Sequence, residues 1–282
     1  MGNITAAEVN KLRKATGAGM MDCKNALVEA NGDFDLAIEN LRKKGQKVAA
    51  KRADRDSSEG AVIAMVNENQ TKGVVISLNC ETDFVAKNES FIDLAKSFCK
   101  IALGCSNKDE LLSSNFESMT VNEKLVEQTG VIGEKLEIGA FEYISSEYVG
   151  YYIHAGNKIA TIVGLSHKFE NSFDVSKNVA MQVAAMNPIA LNEDSVSKDI
   201  IEKEIEIAKE QLRAEGKPEA MLDNIAKGKL KKFFKDNTLI NQAYIKDNKS
   251  SVQSYVQSEN DDCIITDFKR VALVQLTIKS CF

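Results

Sequence analysis

Ala61-Val62-Ile63-Ala64-Met65-Val66 and Val74-Val75-Ile76-Ser77-Leu78-Asn79-Cys80 are two apolar, β-branched runs separated by the polar loop Asn67-Glu68-Asn69-Gln70-Thr71-Lys72-Gly73. Two such runs joined by a polar connector predict a β-hairpin. Downstream, Phe91, Leu94, Ala95, Phe98 and Ala102 recur at helical spacing, which predicts an amphipathic helix. The same order returns later. Residues 147–153 and 159–165 flank a turn at Ala155-Gly156-Asn157, and a helix follows with Val175, Val179, Val183 and Ala184 inward. A hairpin followed by a helix, twice over, predicts an α+β core of two related subdomains with antiparallel sheets. Between the two units, Thr120-x-x-Glu123 forms a capping box ahead of a helix carrying Leu125, Val126 and Ile132, and residues 138–145 read as a strand.

Toward the N-terminus the pattern turns wholly helical. Thr5-x-x-Glu8 is a second capping box, with Ile4 and Val9 at its staple positions, and Val9 and Leu12 continue the apolar stripe to Gly17-Ala18-Gly19. A second helix is predicted from about 21 to 30, stopped by Asn31-Gly32. A third starts near Asp33, buries Phe34, Ala37, Ile38 and Leu41, and is predicted to stop at Arg42-Lys43-Lys44-Gly45, since basic residues followed by Gly suit a helix C-terminus. Three helices in so short a span make a marginal unit suited to recognition. The basic run Arg42, Lys43, Lys44, Lys47, Lys51, Arg52 and Arg55 reads either as a solvated helix end and tether or as a phosphate-contacting segment. No aromatic is interleaved for base stacking, which favours the first reading.

Toward the C-terminus, Asn187-Pro188 precedes an insertion. Residues 198–215 carry ten charged side chains, yet Ile201, Ile205, Ala208 and Leu212 follow a 4-3-4 spacing, the pattern of a short coiled-coil seam. Gly216-Lys217-Pro218 turns the chain, and Leu222, Ile225, Ala226, Leu230 and Phe233 give the returning helix an apolar face. The prediction is an antiparallel coiled-coil helical hairpin over about 195–235, a charged arm for a partner or a second copy of the chain. Residues 264–278 read as strand-rich. The domain reading is therefore a head and linker at 1–56, a core N-subdomain at 57–145, and a core C-subdomain at 146–282 bearing the arm.

Composition narrows the chemistry. Of 282 residues, 36 are Lys or Arg and 41 Asp or Glu, a formal charge of −5. The charge is divided: residues 1–56 hold 11 basic and 8 acidic side chains, the remainder 25 and 33. A hydrophobic share of 44% with 27% charged residues is ordinary globular composition, against a disordered chain. No apolar run approaches the roughly 18 residues of a membrane span, and the N-terminus shows no apolar signal region. Ala6 stands where a lipidation signal wants Ser or Thr. A cytoplasmic chain is expected, its six cysteines reduced and mostly buried. His154 and His167 are the only histidines, too few for a His-rich metal centre or a His-based relay. No Walker loop, nucleophile elbow, H-E-x-x-H or dinucleotide fingerprint is present. No metal, cofactor or catalytic residue is expected, and the chain reads as a non-enzyme.

One segment breaks its local rule. Glu81-Thr82-Asp83-Phe84-Val85-Ala86-Lys87-Asn88 sets two apolar residues between acids and a lysine. Either Phe84 and Val85 tuck into the chain's own core, or Phe84 is an exposed knob for a partner's pocket.

Two segments resemble the elongation factor Ts family. They are Leu12-Arg13 through Thr16-Gly17-Ala18-Gly19-Met20-Met21-Asp22-Cys23-Lys24, with Ala26-Leu27, Glu29-Ala30 and Gly32-Asp33 beyond, and Asn79-Cys80-Glu81-Thr82-Asp83-Phe84-Val85-Ala86-Lys87. Weaker likenesses run from His154 to Ile159, over Ala184-Ala185-Met186-Asn187-Pro188, and from Gly228 to Phe233. The resemblance implies a ubiquitin-associated-like (UBA-like) three-helix head, a two-subdomain core and a coiled-coil arm. It implies a guanine-nucleotide exchange factor for elongation factor Tu that binds no nucleotide itself. Thr82, Asp83, Phe84 and Val85 would work beside the partner's Mg²⁺ site, dislodging the ion. Met20, Met21 and Lys24 would dock the head and His154 would lie on the core's contact face. The arm would touch the partner or a second copy, as a homodimer or 2:2 complex. The chain departs from the family at Gln182, where many members place a His, and at Arg270-Val271-Ala272-Leu273, which replaces the usual ending; a further C-terminal helix of some members is missing before Phe282. The competing readings are an adaptor using the head alone and an RNA-binding protein using 42–55.

Overall fold

The Glu8 N–H donates to Thr5 Oγ1 while the Glu8 carboxylate accepts from the Thr5 N–H at 2.7 Å. Helix α1 (Ala6–Thr16) therefore begins at the expected capping box and ends at Gly17, whose φ of 70° is the left-handed turn glycine favours. This computed structural model describes residues 4–273. Helices α2 (Met20–Glu29) and α3 (Phe34–Arg52) complete the head. Val9, Leu12, Cys23, Ala26, Leu27 and Ala37 form its small core, with Val131 from outside the head packed against it.

The predicted stop at Gly45 is overturned. α3 continues as regular helix to Arg52, so most of the expected tether is a rigid extension of the head. The reason is tertiary: Gly45 is buried, and it is the point where α3 crosses Gly130 of a later helix. Its missing side chain serves that crossing.

Strands β1 (Glu59–Val66) and β2 (Lys72–Cys80) form the predicted hairpin, with Ile63 opposite Ile76. A one-turn helix α4 (Asp83–Ala86) leads into α5 (Glu89–Ala102) and α6 (Lys108–Ser113). The two-residue strands β3 (Asn115–Phe116) and β4 (Met119–Thr120) precede α7 (Val121–Ile132), which opens at the Thr120–Glu123 capping box. Strand β5 (Glu137–Ser145) returns beside β2, giving an antiparallel sheet of order β1-β2-β5.

The second unit repeats the plan. Strands β6 (Tyr148–Ile153) and β7 (Ile159–Leu165) precede α8 (Ser172–Met186). The inserted helices α9 (Lys198–Ala214) and α10 (Glu219–Asn237) follow. The short strands β8 (Ala243–Tyr244) and β9 (Asp247–Ser251), helix α11 (Val252–Glu259) and strand β10 (Ile265–Ala272) close the order. β10 joins an antiparallel sheet of order β10-β7-β6. The rest of the strand expected to 278, like Cys281 and Phe282, lies outside the described residues.

Side-chain alternation explains the layering. Ala61 and Ile63 join Phe91, Phe98 and Leu125 beneath α5 and α7, whereas Val62 and Ala64 meet Val149, Ala160 and Ile162 of the second sheet. The two sheets thus lie face to face, and each carries helices outside; Val163 and Leu165 meet Val175, Val179 and Val183 of α8. A strand covered on both faces needs apolar residues at every position, and residues 61–66 supply them.

α9 and α10 pack through buried Ala208, Leu212, Leu222 and Ala226. Lys209–Asp223 at 2.7 Å and Arg213–Glu219 at 2.9 Å cross between them. Entry and exit of the insertion meet at its base, where the Ile189 N–H donates to Asn237 O and the Leu239 N–H to Ala190 O, both at 2.9 Å.

Candidate protein-contact site

The register of β1 and β2 sets Cys80 opposite Glu59, and the chain that leaves β2 there is held by two carboxylates. Glu134, just beyond α7, accepts from the N–H groups of Glu81 and Thr82 at 3.2 and 3.0 Å and from Thr82 Oγ1 at 2.6 Å. Thr82 stands at the N-cap of α4, but its hydroxyl is turned to Glu134 and makes no cap bond. Glu81 accepts from the Lys135 N–H at 2.6 Å and from Arg52 Nη1, which lies 2.8 Å from both carboxylate oxygens. The Lys135 amide, opposed by desolvation and helped by the Arg52 guanidinium, holds the Glu81 carboxyl below its ordinary range.

On this support α4 divides its side chains sharply. Ala86 is buried and Val85 packs against the Phe91 cluster. Phe84 is 83% exposed. The alternatives left open by the sequence are thus decided separately: Val85 turns in, Phe84 out. Leaving Phe84 in water forgoes about 1.5–3 kcal/mol of burial. Asp83 pairs with Lys87 at 2.6 Å across one helical turn, and this bond lowers the pKa of the acid and raises that of the lysine.

His154 is exposed at the β6–β7 turn, its Nδ1 3.1 Å from Tyr152 Oη. That turn is pinned to the start of β1: Asn157 O accepts from the Val62 N–H at 2.7 Å, and Lys158 pairs with Glu59. Because Glu59 lies opposite Cys80, His154 and α4 share one end of the core. Lys158 is near enough that its charge helps lower the Asp83 pKa.

The other three candidates lie on α2. Met20 and Met21 are 56% and 63% exposed, and Lys24 is exposed. Met20 and Lys24, four residues apart, share a face. The structure therefore groups the eight candidates into a head patch, the α4 turn and the β6–β7 turn. It also brings in Arg52, Glu81 and Glu134, which the sequence reading passed over as site residues. The only available signal was an arginine within a basic run and an acid opening the odd loop, with nothing local to pair them.

The basic run is partly neutralised: Lys43 pairs with Glu39 at 2.6 Å, Lys44 with Asp22 at 2.5 Å and Arg52 with Glu81. Gln182 is buried. It accepts from the Ile245 N–H at 2.8 Å and donates to Gln242 Oε1 and Ala243 O at 3.1 Å, an interior bracket between α8 and residues 242–245. Among the described residues no group of three His, Cys, Asp or Glu side chains is placed to hold a metal, and no helix is long and apolar enough to cross a membrane.

These features define a protein organised around presented apolar side chains on braced turns. The family model described as "Elongation factor TS" matches residues 81–275. The chain is 66% identical over 273 residues to Elongation factor Ts of Christiangramia forsetii, covering 97% of this chain and 100% of that relative. It is 64% identical over 273 residues to Elongation factor Ts of Flavobacterium psychrophilum, with the same coverage. With Elongation factor Ts of Porphyromonas gingivalis it shares 43% over 273 residues, covering 96% and 98%. The chain belongs to the elongation factor Ts family, translation elongation factors of protein biosynthesis.

Proposed function

We propose that this chain is the guanine-nucleotide exchange factor of elongation factor Tu and is not itself an enzyme. The observation that carries the reading is Phe84, 83% exposed on a braced one-turn helix within the family-matched segment. In the complex, Phe84 enters an apolar pocket of the partner beside its Mg²⁺ site, with Thr82, Asp83 and Val85 alongside. The metal and phosphate contacts loosen and GDP leaves. Met20, Met21 and Lys24 dock the head on the partner's GTPase domain, and His154 contacts it from the core.

The physics is linkage. A factor that speeds release stabilises a partner state that holds GDP poorly, and GDP weakens the factor's own binding by the same amount. A weakening of three to five decades needs about 4–7 kcal/mol of coupling. Burying Phe84 supplies only about 1.5–3 kcal/mol, so head, core and arm contacts must provide the remainder. The same proposal takes residues 1–56 as a UBA-like head, 57–145 and 146–282 as the core subdomains, and the 195–235 pair as a coiled-coil arm that meets the partner or a second copy in a homodimer or 2:2 complex. Work is done in the cytoplasm, without a cofactor and without binding nucleotide or nucleic acid.

The test is release of fluorescent GDP from purified elongation factor Tu, with and without this chain. Acceleration by catalytic amounts is the expected result. An unchanged release rate would leave the adaptor and RNA-binding readings, and steeply salt-dependent RNA binding would favour the second.

A further inference from the structure

We infer that Arg52, Glu81 and Glu134 form a positioning clamp that sets the direction of Phe84 and ties it to the head. The inference rests on the exchange reading above, in which Phe84 is the group that enters the partner.

α4 is a single turn, and a helix that short has no stability of its own. Its orientation is therefore decided by what holds its ends. At its N-terminal end the holders are Glu134, through three hydrogen bonds to Glu81 and Thr82, and Val85 packed below. Thr82 gives up its usual capping bond for this. Glu81 in turn is gripped from two sides, by the Lys135 amide and by Arg52.

Arg52 is the last residue of α3, a helix of 19 residues that starts inside the head at Phe34. At 1.5 Å per residue it spans roughly 28 Å, a rod that runs past the docking patch, where Lys44 pairs with Asp22 of α2 at 2.5 Å, and ends on Glu81. Midway, Gly45 rests on Gly130 of α7, and α7 itself runs out next to Glu134. Rod and support thus end on the two carboxylates that hold Phe84. The Glu81 side chain is 15% exposed and that of Arg52 34%, so the pair is better shielded from water and salt than a fully exposed one.

A clamp of this kind leaves the docking patch intact and changes where Phe84 points. Catalysed GDP release is to be measured with the full chain over a range of its concentrations, giving a maximal rate and a half-saturating concentration. Arg52→Met and Glu134→Ala are expected to lower the maximal rate about tenfold, since small misplacements of a working group are costly. The half-saturating concentration should move less than about twofold, because docking is untouched. Glu134→Gln, whose amide oxygen still accepts the two N–H groups, should restore most of the rate. In a Phe84→Ala background either clamp substitution should add under about twofold, because groups acting through one side chain are not additive. Should Glu134→Ala fail to fold, Arg52→Met carries the comparison alone.

Clamp variants that melt like the wild type and exchange at its full rate would overturn the inference. Clamp effects that multiply in full on the Phe84→Ala background would do so too. If Phe84→Ala itself exchanges at the wild-type rate, the reading of Phe84 falls and the clamp falls with it. A slow Phe84→Ala beside a fast Arg52→Met removes the clamp alone.

Discussion

A Cβ added to Gly130 would stand 2.4 Å from the Cα of Gly45, so α3 and α7 cross backbone against backbone at this pair. The two glycines are not equivalent. A Cβ on Gly45 meets Val126 O at 3.3 Å, tight but tolerable. Ala is favoured over Gly in a helix by about 1 kcal/mol, which works for both substitutions. For Gly130→Ala the clash dominates, and a net loss of about 1–3 kcal/mol is expected. For Gly45→Ala the two effects nearly cancel, within about 1 kcal/mol. Denaturant midpoints of the two variants decide it; equal midpoints would refute the close crossing.

Phe84→Ala separates function from stability. A side chain 83% exposed contributes little to the fold, so unfolding should change by no more than about 0.5 kcal/mol. GDP release from elongation factor Tu should slow strongly while some activity survives, since other contacts share the coupling. Wild-type release by the variant would eliminate the wedge role.

Lys24→Ala tests the head patch. Lys24 is exposed on α2, so the melting curve should not move. The half-saturating concentration for exchange should rise, and an unchanged titration would count against docking through this residue.

Glu81 sets a pH dependence whose sign follows from its lowered pKa. The carboxyl is held below its ordinary value of 4.5 in the folded chain, chiefly by the Lys135 amide. A depressed folded pKa contributes stability that is complete above the unfolded value and lost as pH falls through the folded one. Glu81→Gln should therefore be less stable than the wild type near neutrality, with the gap closing below about pH 4.5. A gap that persists unchanged into acid would show that the charge of Glu81 is not what stabilises it.

Gln182→Leu addresses the departure at that position. The substitution keeps the site filled but removes the partner of the Ile245 N–H and of Gln242 Oε1. A buried group left without its partner costs about 1–3 kcal/mol, and thermal unfolding should report a loss of that order while docking stays intact.

What was legible beforehand was local. Thr5–Glu8 and Thr120–Glu123 each specify a helix start because donor and acceptor lie three residues apart. Residues 61–66 and 74–80 announce the two strands of a hairpin, since β-branched apolar runs flank a polar loop. The Ile201-Ile205-Ala208-Leu212 seam announces its returning partner. Gly45 misled because the same residue ends a helix in one context and admits a neighbouring backbone in another. Both uses exploit the missing Cβ, and only the neighbour tells them apart.

The sequence by itself determined the helical head, the two antiparallel hairpin-and-helix units and the inserted helical pair, because period and capping act over a few residues. It also singled out 81–88 as anomalous. Only the tertiary structure decided that Val85 turns inward and Phe84 outward, that α3 runs on to Arg52, and that Arg52, Glu81 and Glu134 meet. Those outcomes depend on hydrogen bonds between residues 29 to 54 positions apart and on one glycine seated on another. Such long-range partners leave no periodicity for a linear reading to find.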